Sequence, residues 1–75
     1  MLMQIKYLRK SRGMTQSQFA ERMGVMQNTV SQWEHEVSLP HIRQLPLMAQ
    51  VLGCTISDLF LSENIKDFDL ISDTI

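Results

Sequence analysis

Seventy-five residues suffice for one small domain, and a domain of that size buries only a modest core. A hydrophobic fraction of 44% sets the chain apart from disordered sequences, and no apolar run approaches the ~18 residues that span a membrane. The net charge of −1 is unevenly spread: six basic and four acidic residues in 1–60 leave +2, whereas Lys66 against Glu63, Asp67, Asp69 and Asp73 leaves −3 in 61–75. So mild a positive body gives little support by itself for a nucleic-acid partner. The N-terminus lacks the charged start and long apolar stretch of a signal peptide. With a single cysteine, Cys54, the chain reads as cytoplasmic and free of internal disulfides.

Leu2, Ile5 and Leu8 recur every three residues among Lys6, Arg9, Lys10 and Arg12, which predicts an amphipathic first helix of about three turns. Gly13 stops it. Thr15-Gln16-Ser17-Gln18 fits a capping box that opens a second helix, with Phe19, Ala20 and Met23 as its apolar stripe and Gly24 as its end. Only Val25 and Met26 then precede a third helical stretch, Gln27 to Glu34. Two short helices joined by a tight glycine-led turn form a helix-turn-helix unit. Pro46 would cost about 3 kcal/mol inside a helix and almost nothing at its first position. The fourth helix is therefore expected from Pro46 to Leu52, with 41–45 as a loose lead-in turn and Gly53 as its stop. Thr55 with Asp58 resembles another cap, starting a short fifth helix whose Ile56, Leu59 and Phe60 face inward. The predicted fold is all-α.

At ~100° per residue, Val30 and Trp33 fall on one side of the third helix, and Gln27, Asn28, Ser31 and Gln32 on the other. The first face suits a core. The second carries only amides and a hydroxyl, with neither a charge nor a large apolar group. On an arbitrary helix that is a solvated surface. Directly after a helix-turn-helix turn it suits the DNA major groove, where Gln and Asn contact adenine through N6 and N7 and Ser pairs with several base edges.

Residues 4–60 resemble the Cro/C1-type, lambda-repressor-like helix-turn-helix family of phage repressors and their bacterial relatives. The resemblance is carried by Ile5-x-x-Leu8-Arg9, Gly13-Met14-Thr15-Gln16, Phe19-Ala20, Met23-Gly24-Val25, Thr29-Val30-Ser31-x-Trp33-Glu34, Pro40, Leu45-Pro46-x-Met48-Ala49 and Leu52-Gly53-Cys54-Thr55-Ile56-x-Asp58-Leu59-Phe60. It implies a five-helix DNA-binding domain over 1–60, followed by the acidic tail 61–75. It implies that Gln27, Asn28 and Gln32 read bases and that Gln16, at the start of the second helix, contacts a phosphate. Ser31 lies on the same face and is expected to read bases with them, and Thr29, His35 and Arg43 are expected to meet the DNA backbone. The resemblance also implies an ion pair between Arg9 and Glu34, expected to be buried and to set the angle of the recognition helix.

Three positions depart from the family pattern. Met26 stands where a capping Ser or Thr is common, so the third helix loses about 1 kcal/mol unless Asn28 or water substitutes. Alternatively, Met26 touches a thymine methyl. His35-Glu36 stands where Asn-Gly is usual. A left-handed Glu36 would strain the loop by about 1–2 kcal/mol, and its charge would repel phosphate. A protonated His35 would donate to phosphate, making affinity pH-dependent.

Leu61, Ile65, Phe68, Ile71 and Ile75 lie at helical spacing in the tail, while Asp67, Asp69 and Asp73 favour a frayed end. Either state is compatible with the sequence; a helix would need its apolar face covered by a second chain, so a homodimer is expected. An antitoxin whose tail wraps a basic protein partner is the competing reading. An enzyme is not expected, because no nucleophile–base set, metal cluster or phosphate-binding glycine loop is present. The spacings of His35, His41 and Cys54 match no zinc pattern, and no cofactor is called for. RNA binding would need an exposed aromatic platform or a basic groove, and neither is visible. Trp33 and Cys54 read as core residues, and Met1 and Met3 as exposed.

Overall fold

The computed structural model describes residues 3–60. Four α-helices follow one another there: α1 (Ile5–Ser11), α2 (Gln16–Met23), α3 (Gln27–Glu34) and α4 (Leu45–Leu52). Short 3-10 turns precede α4 at Ile42–Gln44 and follow it at Ser57–Leu59. None of these helices is long and apolar enough to cross a membrane. The tail 61–75 and its expected dimerisation helix lie outside the described residues, as do Met1 and Leu2.

Local chemistry explains most of the boundaries. Thr15 Oγ1 accepts from the Gln18 amide at 3.1 Å, and the Thr15 amide donates to Gln18 Oε1 at 2.9 Å. The expected capping box is therefore complete, and two amides at the start of α2 are satisfied. Gly24 closes α2 in the left-handed conformation, with φ +70°. Its own amide donates to the Glu21 carbonyl and that of Val25 to the Ala20 carbonyl. The chain thereby reverses within three residues and enters α3.

Three boundaries differ from the sequence expectation. First, α1 is shorter than three turns and begins at Ile5. Met3 is held in an antiparallel bridge with Phe60, the Gln4 amide donates to the Leu59 carbonyl at 2.8 Å, and the Gln4 side chain donates to the Asp58 and Phe60 carbonyls. Backbone committed to that pairing cannot also be helical. For the same reason Met3 is half-buried rather than exposed. Second, α4 starts at Leu45, one residue before Pro46, and 41–45 is not loose. His41 Nδ1 accepts from the Arg43 amide at 3.1 Å, and Gln44 Oε1 accepts from the His41 amide at 2.7 Å, so a capped 3-10 turn feeds the helix. Third, the expected fifth helix is one 3-10 turn. Its cap forms, through reciprocal Thr55–Asp58 bonds of 3.1 and 3.2 Å, but Phe60 turns extended to meet Met3 and stops propagation. Leu59 is buried, Phe60 half-buried, and Ile56 points to solvent rather than inward.

The core lies between these helices. Ile5 from α1, Phe19 from α2, Val30 from α3, and Met48 and Leu52 from α4 are each at most 1% exposed. Trp33 packs edge-on against Phe19, with centroids 6.5 Å apart and planes 74° apart, a favourable quadrupole arrangement that helps seat α3 on α2. Cys54 is partly buried against this core; burial and the nearby Asp58 charge push its thiol pKa up, against an opposing pull from Arg12. Burial and the Asp58 charge both favour the protonated thiol over the nucleophilic thiolate.

Candidate nucleic-acid interface

α3 is seated by its apolar side and clamped at its end. Val30 and Trp33 are sealed in the core. Glu34, its last residue, receives Arg9 from α1: Nε donates to Oε2 at 2.6 Å and Nη2 to Oε1 at 3.1 Å. The remaining Arg9 nitrogen, Nη1, donates to the Met14 carbonyl at 2.7 Å. Gln16 Nε2 adds a bond to Glu34 Oε1 at 3.0 Å. The Glu34 side chain is 1% exposed and Arg9 is 6% exposed, so the expected ion pair is buried. Burial alone would raise the Glu34 pKa. The hydrogen bonds from Arg9 and Gln16, with the positive charges of Arg9 and Lys6, outweigh it and hold the carboxyl below its ordinary value. Among the described residues, no buried side-chain nitrogen or oxygen is left without a partner.

The opposite side of α3 faces solvent. Gln27, Asn28 and Gln32 are exposed, and Thr29 and Ser31 are half-buried. Gln27 is not free: the Ser17 hydroxyl, from the first turn of α2, donates to its Oε1 at 2.9 Å. Ser17 carried no signal in the sequence, because its partner lies ten residues away on another helix. Asn28 and Gln32 form no side-chain hydrogen bond among the described residues. Met26 opens α3 without a side-chain cap and is 75% exposed, which leaves a bare apolar group at the start of the amide face.

The expected backbone contacts are arranged differently from one another. Gln16 turns its amide group inward to Glu34, while the Gln18 amide in the same turn is taken by the Thr15 cap. His35 Nδ1 sits 2.8 Å from the Ser31 carbonyl. A carbonyl only accepts, so Nδ1 carries the proton, and Nε2 is the ring nitrogen left for another partner. Arg43 is exposed on the Ile42–Gln44 turn, and among the described residues no hydrogen bond joins its guanidinium to α3.

Beyond His35 the helix ends with Glu36 in the left-handed conformation, at φ +61°. The Glu36 amide donates to the Trp33 carbonyl at 3.2 Å and the Val37 amide to the Gln32 carbonyl at 2.9 Å. Both bonds belong to the Schellman ending that normally calls for glycine at this place.

A helix-turn-helix family model matches residues 5–59. No curated protein matches the chain. Among solved structures, the chain is 32% identical to SinR, a master regulator for biofilm formation, in a complex with DNA. That match covers 73% of this chain and 89% of the SinR chain, with a TM-score of 0.67. It is 31% identical to part of FeII HppE in complex with substrate, with a TM-score of 0.69, covering 76% of this chain. This chain spans only 33% of HppE. A transcriptional regulator from Listeria innocua shares the fold at 20% identity and a TM-score of 0.69, over 99% of this chain and 94% of that one. With the family model matched over most of its length and the glycine-led turn between α2 and α3 in place, the chain belongs to the Cro/C1-type helix-turn-helix family.

Proposed function

We propose that the protein binds double-stranded DNA sequence-specifically as a transcriptional regulator, acting as a repressor in the cytoplasm and as a homodimer without a cofactor. The observation that carries the reading is the division of α3, with Val30 and Trp33 sealed in the core and the uncharged amides of Gln27, Asn28 and Gln32 in solvent. Eight residues make a helix about 12 Å long, the width of the major groove. The buried clamp on Glu34 holds that face at a fixed angle, as base reading requires. SinR, in a complex with DNA in its structure, supports DNA as the partner. The family and the likeness to SinR favour binding over catalysis.

In this reading Gln27, Asn28, Ser31 and Gln32 face the base edges. The α2 start at Gln16, with Thr29, His35 and Arg43, holds the phosphates. Residues 1–60 form the DNA-binding unit, and the acidic segment 61–75 serves dimerisation. One short helix reads too few base pairs to select an operator, so two copies on half-sites a helical turn apart supply the specificity.

The test is a selection from a random-sequence duplex library at near-physiological salt. An enriched inverted repeat is the expected result. Enrichment of a single half-site keeps the DNA reader and removes the dimer. No enrichment, from protein shown to be folded by circular dichroism, overturns the reading.

A further inference from the structure

Resting on that reading, the structure assigns His41 as a positioning residue that holds Arg43 toward the DNA backbone only while its ring is neutral. Three bonds open the turn Ile42–Gln44, and all three run to His41. Its carbonyl accepts from the Gln44 amide at 2.8 Å, its own amide donates to Gln44 Oε1 at 2.7 Å, and its ring Nδ1 accepts from the Arg43 amide at 3.1 Å. The third bond holds Arg43 itself. A backbone N–H only donates, so Nδ1 supplies its single lone pair and the ring proton sits on Nε2. Protonation puts a hydrogen on Nδ1 and ends that bond. The imidazolium has two N–H donors and no acceptor, so a rotated ring cannot replace it. Histidine ordinarily makes this change between pH 5 and 8.

His35 is arranged the other way. Its Nδ1 sits 2.8 Å from the Ser31 carbonyl and already carries a proton, so the imidazolium keeps that bond. Acid therefore leaves the end of α3 as it is and unfastens the Arg43 turn. Arg43 is the charged residue on the turn itself, and α4, packed against the turn, carries no titratable side chain. Among the described residues, no ion pair or side-chain hydrogen bond joins the His41 ring to a carboxylate. The His41 backbone, at φ −65° and ψ 145°, has the extended conformation of a helix cap, which serine takes equally well. His41→Ser thus keeps an acceptor at every pH, and His41→Ala has none at any.

The experiment measures what Arg43→Ala costs in affinity for the selected duplex, at pH 7.5 and 5.5, in the full chain with His41 kept, with His41→Ser and with His41→Ala. Taking the cost within each pair cancels the new charge on the His41 ring and that on His35, which both members share. At pH 7.5 the cost in wild type is expected to match that in His41→Ser. At pH 5.5 it is expected to fall by about twofold or more toward that in His41→Ala, the low end of what a side-chain cap contributes. His41→Ser is expected to show the same cost at both. A cost in wild type that does not change with pH overturns the proposal. An equal fall in His41→Ser overturns it too, because another group would then be responsible. NMR of the free protein follows the Arg43 amide in parallel. Its resonance is expected to move with protonation of the His41 ring and to stay in place in His41→Ser; an amide that ignores the ring overturns the cap itself. Absence of DNA binding by the wild type removes the underlying function and the aim of Arg43 with it, while the amide titration separately judges the cap.

Discussion

Arg9 grips Glu34 with two parallel hydrogen bonds, Nε to Oε2 at 2.6 Å and Nη2 to Oε1 at 3.1 Å, tying α1 to the last residue of α3. Removing one partner leaves the other charge buried and unpaired. Arg9→Met is therefore expected to cost about 3–5 kcal/mol, close to the whole stability of a domain this small. Arg9→Met with Glu34→Leu removes both charges and should recover most of the loss. Urea denaturation of the two singles and the double checks this; a double as unstable as the sum of the singles would refute the pairing.

The same pair gives the fold a pH dependence. In the unfolded chain Glu34 titrates near its ordinary value of 4.5, and in the fold it titrates lower. The folded protein thus favours the ionised form. That stabilisation is fully present above the unfolded value and fades as pH falls through the lower folded one. Wild type is expected to lose stability below about pH 5 more steeply than Glu34→Gln. Asp58 is also held below its ordinary value, by hydrogen bonds from the Thr55 backbone and side chain, and remains in both proteins. Chemical denaturation at pH 7, 5, 4 and 3 reads the difference; parallel curves would contradict it.

Glu36 occupies a left-handed position that suits glycine. Glu36→Gly should stabilise the domain by about 0.5–1 kcal/mol, after the entropy cost of glycine offsets part of the relieved strain. Glu36→Ala, still an L-residue with a Cβ, should give no such gain. If the loop lies near phosphate, Glu36→Gly also tightens binding to specific and random DNA alike. Thermal melts and salt-dependent binding curves measure both effects.

Arg12 caps α4 from a distance: its Nε donates to the Leu52 carbonyl at 2.8 Å and its Nη2 to the Gly53 carbonyl at 2.9 Å. A methyl group at Gly53 would overlap that guanidinium and sit at φ +67°. Gly53→Ala is expected to cost at least about 1–2 kcal/mol from the left-handed backbone alone, plus the displaced cap. Arg12→Ala with Gly53→Ala should cost less than the two singles added together, because the overlap is gone. Additive losses in a denaturation cycle would mean that the guanidinium moves aside freely.

Gln32 and Arg43 separate base reading from backbone holding. Gln32→Ala should cost about 1–3 kcal/mol on the selected operator and little on random duplex. Arg43→Ala should weaken both similarly and lower the salt dependence by about one ion. A base-selective loss in Arg43→Ala would move it into the group of readers.

Features that depend on neighbouring residues were legible along the chain. The Thr15–Gln18 cap, the glycine that closes α2 and the stripe of Val30 and Trp33 are all written within a few positions of where they act. Family likeness supplied one longer link, between Arg9 and Glu34, and the structure places it in the buried core. Packing alone decided the rest. Gln16 meets Glu34 across 18 residues, Ser17 meets Gln27 across 10, and Arg12 meets Leu52 across 40. The closing contact of Met3 with Phe60 goes with a shorter first helix and a fifth reduced to one turn, because a residue in the extended conformation that a bridge requires cannot also hold helical dihedrals. Side-chain chemistry along a chain says what a residue is able to bond; only the folded distances say which bond it makes, and so which atoms remain for DNA.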